Sequence, residues 1–194
     1  LPLPTNMNDS QAAFISNKRL TPDEMGGYFN PKLSAFRLEV LQSFLVDDEV
    51  EPLRRFARGE VNPPADFNAG WRSAIRAAAA RGVTYSRVRL VQEPLTPYLQ
   101  FEIAWGYRLN VEAGEQVRIL RYDREPTFKA AVPILKDFWL FDDKQCLLME
   151  YDVLGRFLGA SLVRSDDVPR YVDLKTEALA RSIAIRETPY WISQ

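Results

Sequence analysis

The sequence predicts an α/β domain, or the closely related α+β arrangement: a mixed β-sheet with flanking helices, a C-terminal three-strand meander and a C-terminal helix. Three observations carry that prediction. Period-two runs first alternate with helical runs, then follow one another with no helix between them, and the last stretch returns to helical spacing. The 194 residues, 46% of them apolar, supply one sizeable core, as expected of a single domain. We therefore expect one α/β domain over 31–194, preceded by a loosely ordered N-terminal arm over 1–30.

The arm mixes Leu1-Pro2-Leu3-Pro4, Asn6-Met7-Asn8 and Met25-Gly26-Gly27 without a sustained period. Met7 reads as a start residue behind a short leader, and Phe14, Ile15, Tyr28 and Phe29 are the arm's candidates for docking. From Ser34 onward, Phe36, Leu38 and Val40 alternate with Arg37 and Glu39, the period of a half-buried strand. Spacing of four through Phe36, Val40 and Phe44 leaves a helix open as the other reading. Asp47-Asp48-Glu49 puts acids at the start of a short helix ending near Gly59, with Pro52 in its first turn. Residues 61–65, with Pro63-Pro64, form a linker. Asn68 is placed to cap a helix to Arg81, with Trp71, Ile75, Ala78 and Ala79 on one face and Gly82 as its stop. Residues 83–91 alternate as a strand whose phase changes near Ser86, which points to a bulge or face switch.

Pro94-Leu95-Thr96-Pro97 opens a helix to about Leu109, Gly114 makes a turn, and 117–122 is a further strand. Asp137 leads through Phe138, Trp139, Leu140 and Phe141 into a hairpin turned at Asp142-Asp143-Lys144, with 146–151 as its second arm. A turn at 152–155 and a strand over 157–163 complete the meander. Asp166-Asp167 then cap a helix to about Ile185, with Tyr171, Leu174, Ala178 and Ile183 apolar.

Composition excludes several function classes. The 25 Lys+Arg nearly balance 26 Asp+Glu, which argues against attraction of the whole surface to nucleic acid or anionic membrane. Cys146 is the one cysteine; it fits a reducing, cytoplasmic setting and reads as packed and inert within an apolar strand. No charge-free run exceeds eight residues, so neither a transmembrane helix nor a signal-peptide core is expected. Histidine is absent, which removes Ser-His-Asp and Cys-His catalysis and His-based metal sites. There is no Gly-x-Gly-x-x-Gly and no phosphate-binding Gly-Lys-Ser/Thr loop, and no cofactor is expected.

Asp47-Asp48-Glu49, Asp142-Asp143 and Asp166-Asp167 are read as turn and capping chemistry rather than metal ligands, because adjacent carboxylates on a strand point to opposite faces. A second constellation is richer. Arg87 and Arg89 share one strand face, and Glu102, Trp105, Tyr107, Asn110, Glu112 and Glu115 follow shortly after. A helix packed on that strand would gather them in a cleft at the strand ends, where open α/β sheets bind ligands. The candidate ligand-binding residues are Arg87, Arg89, Tyr98, Glu102, Trp105, Asn110 and Trp139. In that reading the arginines pair an anionic group, the aromatics supply apolar area and Glu102 orients one arginine. The competing reading is an ion-pair network whose arginine stems cover apolar surface. Between Arg54 and Arg89, eight arginines face only Glu60 and Asp66, a balance of +6. No helix-turn-helix or zinc-finger spacing accompanies that basic face, so direct nucleic-acid binding is not the expectation.

Three stretches together resemble a known family. They are Phe36-Arg37-Leu38-Glu39; the run from Arg87 through Pro94-Leu95-Thr96-Pro97 to Glu102, continuing at Asn110-Val111-Glu112-Ala113-Gly114-Glu115; and Asp137-Phe138-Trp139-Leu140-Phe141-Asp142, followed by Met149-Glu150-Tyr151-Asp152 and Gly155. Over about residues 34–184 this resembles the actinobacterial domain-of-unknown-function family 6879. The resemblance implies a companion of helix-turn-helix regulators and small partner proteins, with no catalytic residue to carry over. A weaker likeness is to one half of a phospholipase-D-like domain. The His-x-Lys pair of that family cannot exist here, so the likeness implies a catalytically dead scaffold. The functional expectation is a non-enzymatic, cytoplasmic regulatory binding module. It senses a small anionic ligand or docks a helix-turn-helix regulator or small partner protein, with no metal and no membrane contact. The alternative is a histidine-free hydrolase or transferase with Glu102 or Asp137 as base.

Overall fold

The computed structural model describes residues 18–132 and 134–191, with the backbone alone at Lys18 and Pro22. One sheet contains β1 (Lys18–Leu20), β2 (Ser34–Glu39), β3 (Thr84–Val91), β4 (Gln116–Arg121), β5 (Phe138–Phe141), β6 (Gln145–Tyr151), β7 (Phe157–Leu162) and β8 (Ile183–Ala184). The spatial order is β1-β7-β6-β5-β2-β3-β4-β8. β2, β3 and β4 run parallel, and every other pairing is antiparallel. The helices are α1 (Pro22–Gly26), α2 (Val50–Ala57), α3 (Ala69–Ala80), α4 (Pro97–Phe101), α5 (Arg108–Ala113), α6 (Pro126–Ala131) and α7 (Val168–Arg181), with a π-helical segment, Glu102–Tyr107, joining α4 to α5. This is the mixed α/β architecture expected from the sequence, including the β5–β6–β7 meander and the C-terminal helix.

Parallel neighbours need crossover connections, and the right-handed rule puts successive crossovers on the same face. Accordingly α3 lies on one face, with Ala78 and Trp71 against Ala35, Tyr85 and Trp139. α6 and α7 cover the other, where Phe128, Tyr171 and Ala178 pack on Phe36, Leu38, Val88, Leu90 and Leu140. β3 is therefore covered on both sides, which explains the apparent phase change near Ser86. Its register with β2 is continuous from Thr84 to Arg89, so there is neither bulge nor face switch. By the two-residue period Tyr85, Arg87 and Arg89 share one buried face and Val88 and Leu90 the other.

Local signals at the element ends behave unevenly. Thr96 caps α4, accepting from Leu99 N at 3.2 Å with Pro97 in the first turn, and its hydroxyl donates to the Gln42 carbonyl at 2.6 Å. Asn68, by contrast, precedes α3 in the left-handed region (φ 54°) and makes no side-chain cap. Asp167 makes none either. α7 stops at Arg181 rather than near Ile185: Ser182 is extended, Arg118 donates to its side chain and carbonyl, and Ile183–Ala184 pair with β4. Of the expected arm, residues 18–30 form β1 on the edge of β7, then α1, and then Tyr28 and Phe29. The Phe29 ring sits 5.1 Å from Trp139 and 6.4 Å from Trp71, centroid to centroid. The remainder, with Met7, Phe14 and Ile15, lies outside the described residues.

The Asp142-Asp143 pair is turn chemistry. Both residues take positive φ (53° and 54°), and Lys144 N donates to the Phe141 carbonyl at 3.0 Å, the primed turn that matches strand twist. The Asp142 carboxylate then accepts from Lys32 N (3.0 Å), Leu33 N (2.8 Å) and Ser34 N (2.9 Å), fixing the entry to β2. Burial works against this carboxylate's charge, but the three amides prevail and hold it below the usual range. Cys146 is sealed in the core, where burial pushes its thiol up and out of reactivity.

Asp142→Ala should cost about 2–3 kcal/mol in urea unfolding, through lost charge-assisted hydrogen bonds and a left-handed backbone that alanine resists. Asp142→Asn should cost less. Because the folded carboxyl titrates below its unfolded value, its contribution is present above the ordinary aspartate range and fades as pH falls through the folded value, where wild type and Asp142→Asn converge.

Candidate functional site

Arg37 and Glu39 of β2 stand in register beside Arg87 and Arg89 of β3, and the strand period puts all four on the face covered by α3. Glu39 organises them. Its Oε1 lies 2.9 Å from Arg37 Nε, and its Oε2 accepts from Arg87 Nη1 at 2.9 Å and from the Tyr107 hydroxyl at 2.8 Å. Arg89 Nη1 lies 3.7 Å from the same oxygen. Arg87 Nε also donates to Glu115 at 2.8 Å. Burial works to raise the Glu39 carboxyl, but Arg37, Arg87 and Arg89, with the Tyr107 hydroxyl, hold it far below the usual carboxylate range.

Above this cluster lies a cavity of about 340 Å³. Phe29, Phe44, Trp71, Trp139, Tyr151 and Phe157 form its apolar walls. Glu39, Glu49, Glu102, Arg37, Arg87, Tyr98, Asn68 and Asn110 supply its polar surface. Glu49 ends the short 3-10 turn before α2 and accepts the Tyr98 hydroxyl at 2.7 Å. Burial raises the Glu49 carboxyl, while the Tyr98 hydroxyl opposes the shift. Glu102 opens the π-helical segment and is only 8% exposed, with no hydrogen-bond partner on Oε1. Burial, then Glu49 and Glu39, push its carboxyl up to about 8, so it carries its proton at neutral pH. Gly106 makes room for it: a Cβ there would sit 2.6 Å from Glu102 Oε1.

Five of the seven sequence-predicted residues, Arg87, Tyr98, Glu102, Asn110 and Trp139, line this cavity. Arg89 and Trp105 do not. Arg89 is wholly buried with its guanidinium 4.8 Å from the Phe44 ring centroid, and none of its three nitrogens has a hydrogen-bond partner. Trp105 turns into an aromatic cluster with Phe56, Phe67 and Phe101 and donates to the Val61 carbonyl at 3.2 Å. Glu102 does not orient an arginine; Glu39 and Glu115 take that role. Asp137, the other expected base, accepts from Val40 N (2.9 Å) and Leu41 N (3.2 Å) and so positions the chain leaving β2. Sequence reasoning missed Arg37, Glu39 and Glu49. The first two were signalled by the same alternation that singled out Arg87 and Arg89, had the polar positions of β2 been taken as inward.

The basic stretch is largely neutralised or tied to backbone. Arg58 pairs with Glu51 at 3.1 Å, Arg55 with Glu60 at 2.6 Å, and Arg72 donates to the Ala65 carbonyl at 2.9 Å. Among the described residues no three acidic, cysteine or histidine side chains are grouped to hold a metal ion, and no helix is long and apolar enough to cross a membrane.

Fold and site together define a mixed-sheet α/β domain with an ion-pair cluster beneath an aromatic-walled cavity. The chain belongs to the family described as "Domain of unknown function (DUF6879)", whose pattern matches residues 23–189. Among solved structures it is similar to Nuc, a phospholipase D family member from Salmonella typhimurium. The identity is 10% and the TM-score 0.46, covering 84% of this chain and 93% of that one. No curated protein matches the chain.

Removing the shared carboxylate with Glu39→Ala should cost about 3–5 kcal/mol in chemical denaturation, because Arg37 and Arg89 lose their nearest counter-charge and Arg87 keeps only Glu115. Glu102→Gln should act oppositely at higher pH. A carboxyl raised on folding stabilises fully below its unfolded value and loses that contribution as pH rises through the folded value. Wild type should therefore weaken relative to Glu102→Gln between about pH 5 and pH 8, by up to about 1.4 kcal/mol per pH unit.

Proposed function

We propose that this protein is a non-enzymatic regulatory binding module of the cytoplasm, whose cavity over β2 and β3 takes a small ligand. One observation carries the reading: polar groups from four separate segments, buried Glu39, Arg87 and Glu102 with half-buried Arg37 and Glu49, converge on a space walled by aromatic rings. Such a combination of apolar area and a few fixed polar groups is the ordinary makeup of a ligand site. The partner-docking form of the reading, with a helix-turn-helix regulator or small protein as companion, is supported by exposed Val153, Leu154 and Leu158 beside rim residue Phe157. An excess of arginine over lysine, nineteen to six, fits a GC-rich, actinobacterial source.

Native mass spectrometry of the protein purified gently from its own host tests this. A small molecule should accompany wild type and be missing from Val46→Trp, which plugs the exposed cavity rim. A stoichiometric helix-turn-helix companion supports the docking form. Bare wild type that also takes up nothing from a cell extract overturns the small-ligand reading.

A second reading, a histidine-free hydrolase or transferase, is favoured by one observation. Glu102 holds a proton at neutral pH beside Glu49, as a general acid requires. Turnover of a bound ligand that Glu102→Gln abolishes, with binding retained, would establish it.

A further inference from the structure

We infer that the cavity binds a flat organic monoacid, its carboxylate received between Arg37 and Arg87 and its apolar body laid against the aromatic wall. The inference rests on the small-ligand reading above and names the ligand's chemistry.

Donor geometry is the first argument. Arg37 and Arg87 are register partners on β2 and β3, and both line the cavity. Arg87 gives Nε to Glu115 at 2.8 Å and Nη1 to Glu39 at 2.9 Å. Arg37 sets Nε 2.9 Å from Glu39 and gives Nη2 to the Tyr151 hydroxyl at 3.3 Å. Each guanidinium is thus fixed through two of its nitrogens. The third, Arg37 Nη1 and Arg87 Nη2, has no hydrogen-bond partner among the described residues. Neither of these nitrogens is sealed from solvent, whereas the unpartnered oxygens Glu102 Oε1 and Asn110 Oδ1 are. Two arginines held side by side by Glu39, each with N–H groups still open, form a ready fork for a second carboxylate.

Charge is the second argument. Arg37, Arg87 and Arg89 share this sheet face, and only Glu39 and Glu115 come within ion-pair distance of them. Arg89 shows the shortfall. It is wholly buried, no nitrogen of it has a hydrogen-bond partner, and its one carboxylate contact is at 3.7 Å. Asp137, the next acid, spends Oδ1 on Val40 N and Leu41 N and pairs with none of the three. Glu102, which carries its proton at neutral pH, does not cancel the excess. One negative charge on the ligand balances the third guanidinium. A second would find no guanidinium left and would stand against Glu49.

The wall is the third argument. Phe29, Trp71 and Trp139 meet edge to face, with centroids 5.1 to 6.4 Å apart. The Arg37 guanidinium lies 5.2 Å from the Trp139 ring centroid, so an acid gripped at Arg37 starts against these rings. Apolar area of this kind suits a flat body better than a polar chain.

Calorimetric titration of the full chain at pH 7 with 3-phenylpropanoate, its carboxamide, 2-phenylethylamine and phenyl phosphate tests this. The acid should bind about tenfold or more tightly than the uncharged amide and the amine. Phenyl phosphate, a dianion, should bind more weakly than the acid. Arg37→Gln should weaken the acid about tenfold or more and the amide less than about twofold, with thermal unfolding as the folding control. Val46→Trp, which plugs the rim, should abolish acid binding. Acid binding unmoved by Arg37→Gln, or retained in Val46→Trp, overturns the assignment. Equal or tighter binding of the amide or the amine overturns acid selection and leaves the small-ligand reading standing. Tighter binding of phenyl phosphate overturns the single charge. Failure of all four probes overturns the monoacid, and the small-ligand reading falls with it when the native mass spectrum is bare as well.

Discussion

Glu39 sits at the end of the central strand with 2% of its surface exposed, and its carboxylate serves Arg37, Arg87, Arg89 and Tyr107 at once. A lone guanidinium buried among apolar groups costs several kcal/mol, so three on one sheet face are tolerable only where carboxylates face them. Glu39 and Glu115 meet that requirement from opposite sides of Arg87. Tyr107 belongs to the segment joining α4 and α5, so the same carboxylate also fastens the helical layer to the sheet. Remove it, and the layer loses both charge balance and alignment.

The site above this cluster follows from the way the polar face is sealed. Aromatic side chains from four regions close over the arginines: Phe29 after α1, Phe44 after β2, Trp71 from α3, and Trp139 with Tyr151 from the meander. Rings can cover guanidinium groups without demanding hydrogen bonds, and Arg89 beneath Phe44 is the extreme case. The π-helical segment adds a carboxyl that the arginines do not consume, as the turn before α2 does with Glu49. Departures from regular α geometry are frequent at functional positions, and here the departure coincides with a cavity-facing carboxyl that burial pushes up to about 8.

Much of the framework was readable from residue order. Alternation gave β2 and β3, Thr96-Pro97 gave the start of α4, and Asp142-Asp143 gave the hairpin turn. Arg87, Tyr98, Glu102, Asn110 and Trp139 were also placed correctly as neighbours, since a helix following a strand packs back on it. Two of the failures share a cause. Period-two reasoning takes charged positions as outward, whereas in β2 and β3 both faces are buried and the arginines point inward. The same assumption produced a bulge where the register runs unbroken, and it hid Arg37 and Glu39. Glu49 was hidden differently: a carboxylate in a helix-starting acidic run looks like a favourable dipole contact, and only tertiary structure shows Tyr98 reaching it. Asn68 and Asp167 looked like caps for the reason that their residue types often are, yet neither side chain makes the bond.

β2 belongs to two sheets in one, bonded parallel to β3 on one edge and antiparallel to β5 on the other. The cavity spans that boundary, with Arg37, Glu39 and Arg87 from the parallel side and Trp139, Met149 and Tyr151 from the meander. Any local opening that frees the meander must therefore empty the cavity, and any occupant resists that opening in proportion to its binding free energy. Occupancy is in this way written into the exchange of backbone amides along β6 and β7, including positions such as Cys146 and Ala160 whose side chains do not line the cavity.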